Sequence, residues 1–129
     1  MARFGNQGLD HVAIGVADLE RSQRFYADVL GLERVHEAWE VPVVMVAEGT
    51  GVAIFPQELH PSSAPAGAEA PAVRILHIAF RVDRSGFAEA RAALEALGLE
   101  VRFSDHEISH SIYFRDPDGH ALELTTYEV

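Results

Sequence analysis

The chain repeats itself. LDHVAIGVADL (9–19) returns as ILHIAFRVDRS (75–85) at an offset of 66 residues, so that His11 falls on His77 and Val12, Ala13 and Val16 fall on Ile78, Ala79 and Val82. Farther on, LGLERV (30–35) matches LGLEVR (97–102) at an offset of 67. Two copies are too few to stack as a solenoid, so they are expected to close on each other as two related halves of one fold. With 129 residues the expected organisation is a single domain spanning 1–129. Module 1 runs over about 1–58, a linker loop over 57–73, and module 2 over about 74–129.

Each half reads as a strand, a helix and further strands. LDHVAIGV alternates with period two and runs into Asp18, an N-cap residue. In LERSQRFYADVL, Leu19, Ser22, Phe25, Tyr26, Val29 and Leu30 recur at helical spacing before Gly31. Strands are expected near 33–40, 43–48 and 51–56. The second half opens on a strand near 77, has a helix at FAEARAALEAL (87–97) closed by Gly98, and strands near 99–104, 111–115 and 120–127. Between the last two, RDPDG is a hairpin turn with Pro117 and Gly119 where a type I turn favours them. The Pro/Ala/Ser-rich segment 57–73 is either a spacer or a lid.

Strand alternation sorts the side chains into two faces. Val12, Ile14 and Val16 share one face of the first strand, and His11, Ala13 and Gly15 the other. The same division sets Ile78, Phe80 and Val82 against His77, Ala79 and Arg81, and Leu122 and Leu124 against Ala121, Glu123 and Thr125. Bulky apolar residues thus take the face that the helices can cover. The small-residue face carries two imidazoles and a carboxylate, which is costly to bury unless a positive charge meets it. Two His and one carboxylate with open positions is the donor set of non-haem iron(II) sites. A hydrogen-bonded His–Glu pair without a metal would use the same residues.

Composition narrows the partners. Twenty acidic residues against ten basic ones give a formal charge of −10, which argues against nucleic acid and against anionic membranes. There is no cysteine, so any metal is held by nitrogen and oxygen. MARFGNQGLD lacks an apolar signal core, and no run approaches the ~18 apolar residues of a membrane span, so a cytoplasmic protein is expected.

LDHVAIGVADLERSQRFYADVLGL, LHIAFRVD and SIYFRDPDGHALELTTYE resemble the vicinal oxygen chelate superfamily, which includes glyoxalase I, extradiol dioxygenases, fosfomycin-resistance transferases, methylmalonyl-CoA epimerase and bleomycin-binding proteins. The resemblance implies an α+β fold in which two βαβββ modules form one cupped mixed sheet, or half-barrel, with a metal site. It implies a homodimer and a small-molecule substrate. The family's ligand positions fall on His11, His77 and Glu123, with Fe(II) or Mn(II) preferred as the divalent metal and Zn or Ni as alternatives. Matching GVAIF (51–55) to GHALE (119–123) puts Phe55 opposite Glu123, so the fourth ligand of glyoxalase I is missing unless Gln57 or Glu58 supplies it.

Among three-ligand members, the extradiol signature resembles HEISHSIYFRDPDGHALE most, through His106, Ile112, Tyr113, Asp116, Pro117, Gly119 and Glu123; Ser104 departs from it mildly. The resemblance therefore implies ring cleavage of a small catechol whose adjacent oxygens meet the metal. His60 would be the acid–base group, with His106 or His110 as substitutes, and Tyr113 would hydrogen-bond the substrate. Phe55, Trp39 and Phe103 are wall or core residues, and Arg81 a rim residue. The alternative is a glyoxalase- or fosfomycin-resistance-like lyase or thiol transferase. Against it stand the absence of lysine and of any Arg in the C-terminal ELTTYEV. A further alternative is a non-catalytic bleomycin-type binding dimer, which usually lacks the three ligands retained here.

Overall fold

A computed structural model describes residues 3–59 and 74–129. His60 and most of the 57–73 linker lie outside the described residues. The chain divides into two compact units, Met1–Gly67 and Ala68–Val129.

The first unit holds β1 (His11–Val16), α1 (Leu19–Asp28), β2 (Glu33–Val35), β3 (Val43–Ala47) and β4 (Thr50–Pro56), followed by a 3-10 turn at Gln57–Leu59. The second holds β5 (Ile78–Arg81), α2 (Arg84–Ala96), β6 (Arg102–Asp105), β7 (His110–Arg115) and β8 (Ala121–Thr126). Their sheets have the same wiring, β1-β4-β3-β2 and β5-β8-β7-β6. In each, the first strand pairs parallel with the last, and the other pairings are antiparallel. The sequence repeat is thus a repeat of topology. Strand hydrogen bonding stays within each module, giving two four-stranded mixed sheets, as the expected α+β fold of paired βαβββ modules requires.

Asp18 caps α1 as expected, its Oδ1 accepting the Arg21 N–H at 3.0 Å. Ser22 and Tyr26, one turn apart, are the helix's buried residues, and α1 packs on β3 and β4. α2 begins at Arg84, three residues before the expected Phe87, because Asp83 accepts the Gly86 N–H at 2.7 Å and thereby recruits RSG into the first turn. Phe87 and Leu94, two turns apart, are its buried residues. At its far end Gly98 takes φ +80°, while Gly98 N–H and Leu99 N–H donate to Glu95 O (2.9 Å) and Leu94 O (3.1 Å). β2 is far shorter than the expected 33–40. His36 turns the chain at φ +56° and its carbonyl accepts the Trp39 N–H at 3.0 Å, which ends the pairing.

The bulky apolar side chains gather on one face of each sheet, although Val44 and Ala53 on the other face of the first are buried as well. In the first unit Ile14, Val16, Val43, Met45, Val52 and Ile54 are buried on the side that faces α1. In the second, Ile112, Phe114, Leu122 and Leu124 fill the corresponding layer, and α2 packs on β8. No helix among the described residues is long and apolar enough to cross a membrane.

Candidate functional site

β8 is the central strand on which the site is built. It is flanked by β5 in parallel, with Ala79 opposite Glu123, and by β7 in antiparallel, with Tyr113 opposite Glu123. His77, two residues before Ala79, shares its parity. Their side chains therefore emerge on the face away from the apolar layer. There His77 Nε2 lies 2.8 Å from Glu123 Oε1, with the imidazole 39% exposed and the carboxylate 10%. The second carboxylate oxygen, Oε2, accepts the Ser111 hydroxyl at 2.6 Å. Each oxygen of this nearly buried acid thus has a partner, which is what makes its burial tolerable.

Tyr113 extends the cluster. Its ring meets the His77 ring edge to face with centroids 5.8 Å apart. The phenol oxygen lies 3.0 Å from His106 Nε2, and the Arg102 guanidinium sits 4.6 Å above the ring centroid. Among the described residues Arg102 makes no ion pair with a carboxylate. A groove of about 920 Å³ opens beside these groups, with His77, Tyr113, Arg102 and Arg115 on its lining together with Leu76 and Leu99.

In the first unit, His11 begins β1, with Nδ1 2.7 Å from Asp10 Oδ2. A proton on Nδ1 donated to that carboxylate leaves Nε2 as the lone-pair nitrogen, the arrangement found behind metal-bound imidazoles. Asp10 is 90% exposed, so the pair orients the ring more than it stabilises the fold.

These residues suit a divalent cation. The 2.8 Å between His77 Nε2 and Glu123 Oε1 is close to the separation, roughly 3 Å, of adjacent ligands each about 2.1 Å from a shared ion. The donors are imidazole and carboxylate, with no thiolate available. Among the described residues no three His, Asp or Glu side chains gather into one metal-binding group. The expected donors appear as a pair, His77 with Glu123, in the second unit and as His11 with its Asp10 partner in the first.

Several expected residues move elsewhere. His110, offered as a substitute proton carrier, projects from the opposite face of β7. Its ring lies among Phe87 (6.3 Å) and Phe103 (5.3 Å), with Asp105 at 3.6 Å from Nε2. Phe103 packs edge to face on Phe87 of α2, with the Arg91 guanidinium over its ring, and is 40% exposed. Trp39 is 51% exposed and stacks on His36 at 5.0 Å. Arg81 lies over the Tyr127 ring at 5.1 Å. The register also revises the fourth-ligand position. Ala13 pairs with Ala53 as Ala79 pairs with Glu123, so Ala53, not Phe55, is the counterpart of Glu123. Alanine ligates no better than phenylalanine, and Gln57 and Glu58 follow the strand in the 3-10 turn. Sequence reasoning passed over Ser111, Arg102 and Asp10. The first was legible, being two residues before Tyr113 and so on its face; Arg102 needed the β6–β7 register.

Comparison with known proteins agrees with this architecture. Residues 8–124 match the family model described as the Glyoxalase/Bleomycin resistance protein/Dioxygenase superfamily. The chain is 30% identical over 118 residues to glutathione transferase FosA of Serratia marcescens, covering 92% of this chain and 79% of that protein. It is 28% identical over 117 residues to catechol-2,3-dioxygenase of Bacillus subtilis, covering 90% of this chain but 40% of that protein. The crystal structure of lactoylglutathione lyase from Agrobacterium tumefaciens superposes with a TM-score of 0.73 at 28% identity, covering 94% of each chain. With this match along most of its length, and with paired βαβββ modules repeating one topology, the chain belongs to the glyoxalase/bleomycin resistance/dioxygenase superfamily, the vicinal oxygen chelate proteins.

Proposed function

We propose that the protein is a metal-dependent enzyme of the glyoxalase- or fosfomycin-resistance-like kind, a lyase or thiol transferase acting on a small anionic electrophile. His11, His77 and Glu123 would hold the divalent cation. Bound there, the ion would supply a positive charge that polarises a substrate oxygen. The observation that carries the choice of reaction is Arg102, a guanidinium fixed over Tyr113 at 4.6 Å and facing the groove beside His77. It provides the cationic group that the absence of lysine had counted against. The resemblance to FosA over most of the chain supports the same choice.

The chain's own residues have definite tasks in this reading. Arg102 receives the anionic group and orients the substrate; Leu76 and Leu99 contact its apolar part. For addition of a thiol to an epoxide, the new bond is S–C, the bond lost is C–O, and the thiol proton ends on the released oxygen. In this reading Tyr113, hydrogen-bonded to His106 at 3.0 Å, would pass that proton.

A second reading, extradiol cleavage of a catechol, is favoured by the His106–Tyr113 pair, which falls on the extradiol-like signature, and by the similarity to catechol-2,3-dioxygenase. In that reading His60 acts as acid–base residue. Exposed Leu9 ahead of β1, and Ile75 and Leu76 ahead of β5, 71–77% accessible, support a homodimer as the working form. To decide between the reactions, protein loaded anaerobically with Mn(II), Fe(II), Zn(II) or Ni(II) is given glutathione with epoxide and α-ketoaldehyde acceptors, then catechols with oxygen monitored. Metal-dependent loss of thiol without oxygen uptake is expected. Oxygen uptake with a catechol and no thiol loss would overturn the first reading in favour of the second.

A further inference from the structure

We infer that Ser111 is a positioning residue for the cation site, holding one oxygen of Glu123 so that the carboxylate offers only the other to the ion. This rests on the metal reading above. An ionised carboxylate has two equivalent oxygens and can ligate through one or both. In this protein they are not equivalent. Oε2 accepts the Ser111 hydroxyl at 2.6 Å, a separation typical of a strong O–H···O⁻ bond. Oε1 faces His77 Nε2 at 2.8 Å.

Ser111 is suited to this task by its place in the fold. It is wholly buried, on the strand next to β8, and its ladder partner is Thr125, two residues beyond Glu123 on the same face. Its Oγ also lies 3.4 Å from Thr125 Oγ1. A serine hydroxyl has one proton, and the 2.6 Å contact to Glu123 is much the shorter of the two. With Oε2 occupied, Glu123 presents one oxygen at a set angle. One coordination position more than a two-oxygen grip would allow then stays open for substrate.

The test titrates Mn(II) against the full-length protein, following the signal of free aqueous Mn(II) by electron paramagnetic resonance. S111A is expected to weaken Mn(II) binding about 10–100-fold, the usual effect of removing a hydrogen-bond partner behind a metal ligand. S111C, whose thiol is a weak donor, is expected to weaken it as well, whereas S111T restores most of the affinity. Because Ser111 acts through Glu123, adding S111A to E123A changes nothing further. Thermal melts of the metal-free variants verify that they are folded; if S111A is not, S111C and S111T carry the comparison. Wild-type affinity in S111A or S111C overturns the inference, and so does an added loss in the E123A background. A wild-type protein that binds no Mn(II) overturns the metal reading itself, a different result.

Discussion

Tyr113 has three neighbours on its side chain: the His77 ring edge, the Arg102 guanidinium and the His106 nitrogen. Each implies a separable role. Removing the phenol oxygen in Tyr113→Phe leaves the ring contacts in place but ends the hydrogen bond to His106. Turnover is expected to fall about 100-fold, with Mn(II) affinity unchanged, if the phenol passes a proton in the reaction. Steady-state rates and a metal titration on the same preparation check this. Arg102→Ala removes a charge that, in the proposed function, would bind substrate in both ground and transition states. KM is then expected to rise about tenfold or more with kcat little altered, measured against an anionic acceptor and its neutral ester, the ester showing the smaller effect. Residue chemistry of this kind was partly readable in the sequence. His77 and Glu123 declare themselves because an imidazole and an acid share a strand parity with Ala79 and Ala121, opposite the bulky apolar residues. Arg102 does not, because its neighbour Tyr113 is reached only across the β6–β7 ladder, and no local pattern reports which residues face each other there.

At the scale of the element, caps and turns were the most legible features. Asp18, Gly31, Gly98 and Gly119 punctuate the chain where local chemistry requires, with Gly31, Gly98 and Gly119 at φ +67°, +80° and +88°. The start of α2, which Asp83 caps, and the end of β2 were misjudged. Nothing in ERVHEAWE marks Val35 as the end of β2; the strand stops because His36 and Trp39 close a turn. The fourth-ligand position was misaligned for a related reason. GVAIF and GHALE look alike as strings, but pairing with β1 and β5 equates Ala53 with Glu123. Gly51 illustrates how tightly β3 and β4 meet. A Cβ on it would lie 1.9 Å from Met45 O and 2.9 Å from Val46 Cα, both backbone atoms of the neighbouring strand. Gly51→Ala is therefore expected to cost about 1–3 kcal/mol, read by urea unfolding. Gly15→Ala meets the end of the Gln57 side chain instead, which can swing aside, and is expected to cost less.

At the scale of the whole molecule, the repeat is the organising fact. Each copy places an imidazole at the start of its first strand, His11 in β1's unit and His77 just ahead of β5. Only the second copy places an acid on the last strand, since Ala53 occupies the matching position in the first. In the proposed function that asymmetry would leave two imidazoles and one acid as the donors, with positions open to substrate oxygens. Membership of the superfamily was legible from motifs spread along the sequence, because they mark the strands and turns of both modules. The proposed reaction was less so: no lysine and an Arg-free C-terminal strand pointed away from thiol transfer, while Arg102, which lines the groove with Arg115, comes from β6. The most direct test of the account is the ion stoichiometry of dialysed, Mn(II)-loaded protein compared across wild type, His11→Ala, His77→Ala and Glu123→Ala. The account requires about one ion per chain in the wild type and an affinity loss of more than about 100-fold in every variant, beyond what hydrogen-bond partners of ligands cause. Full occupancy in His11→Ala, with wild-type affinity, would contradict it.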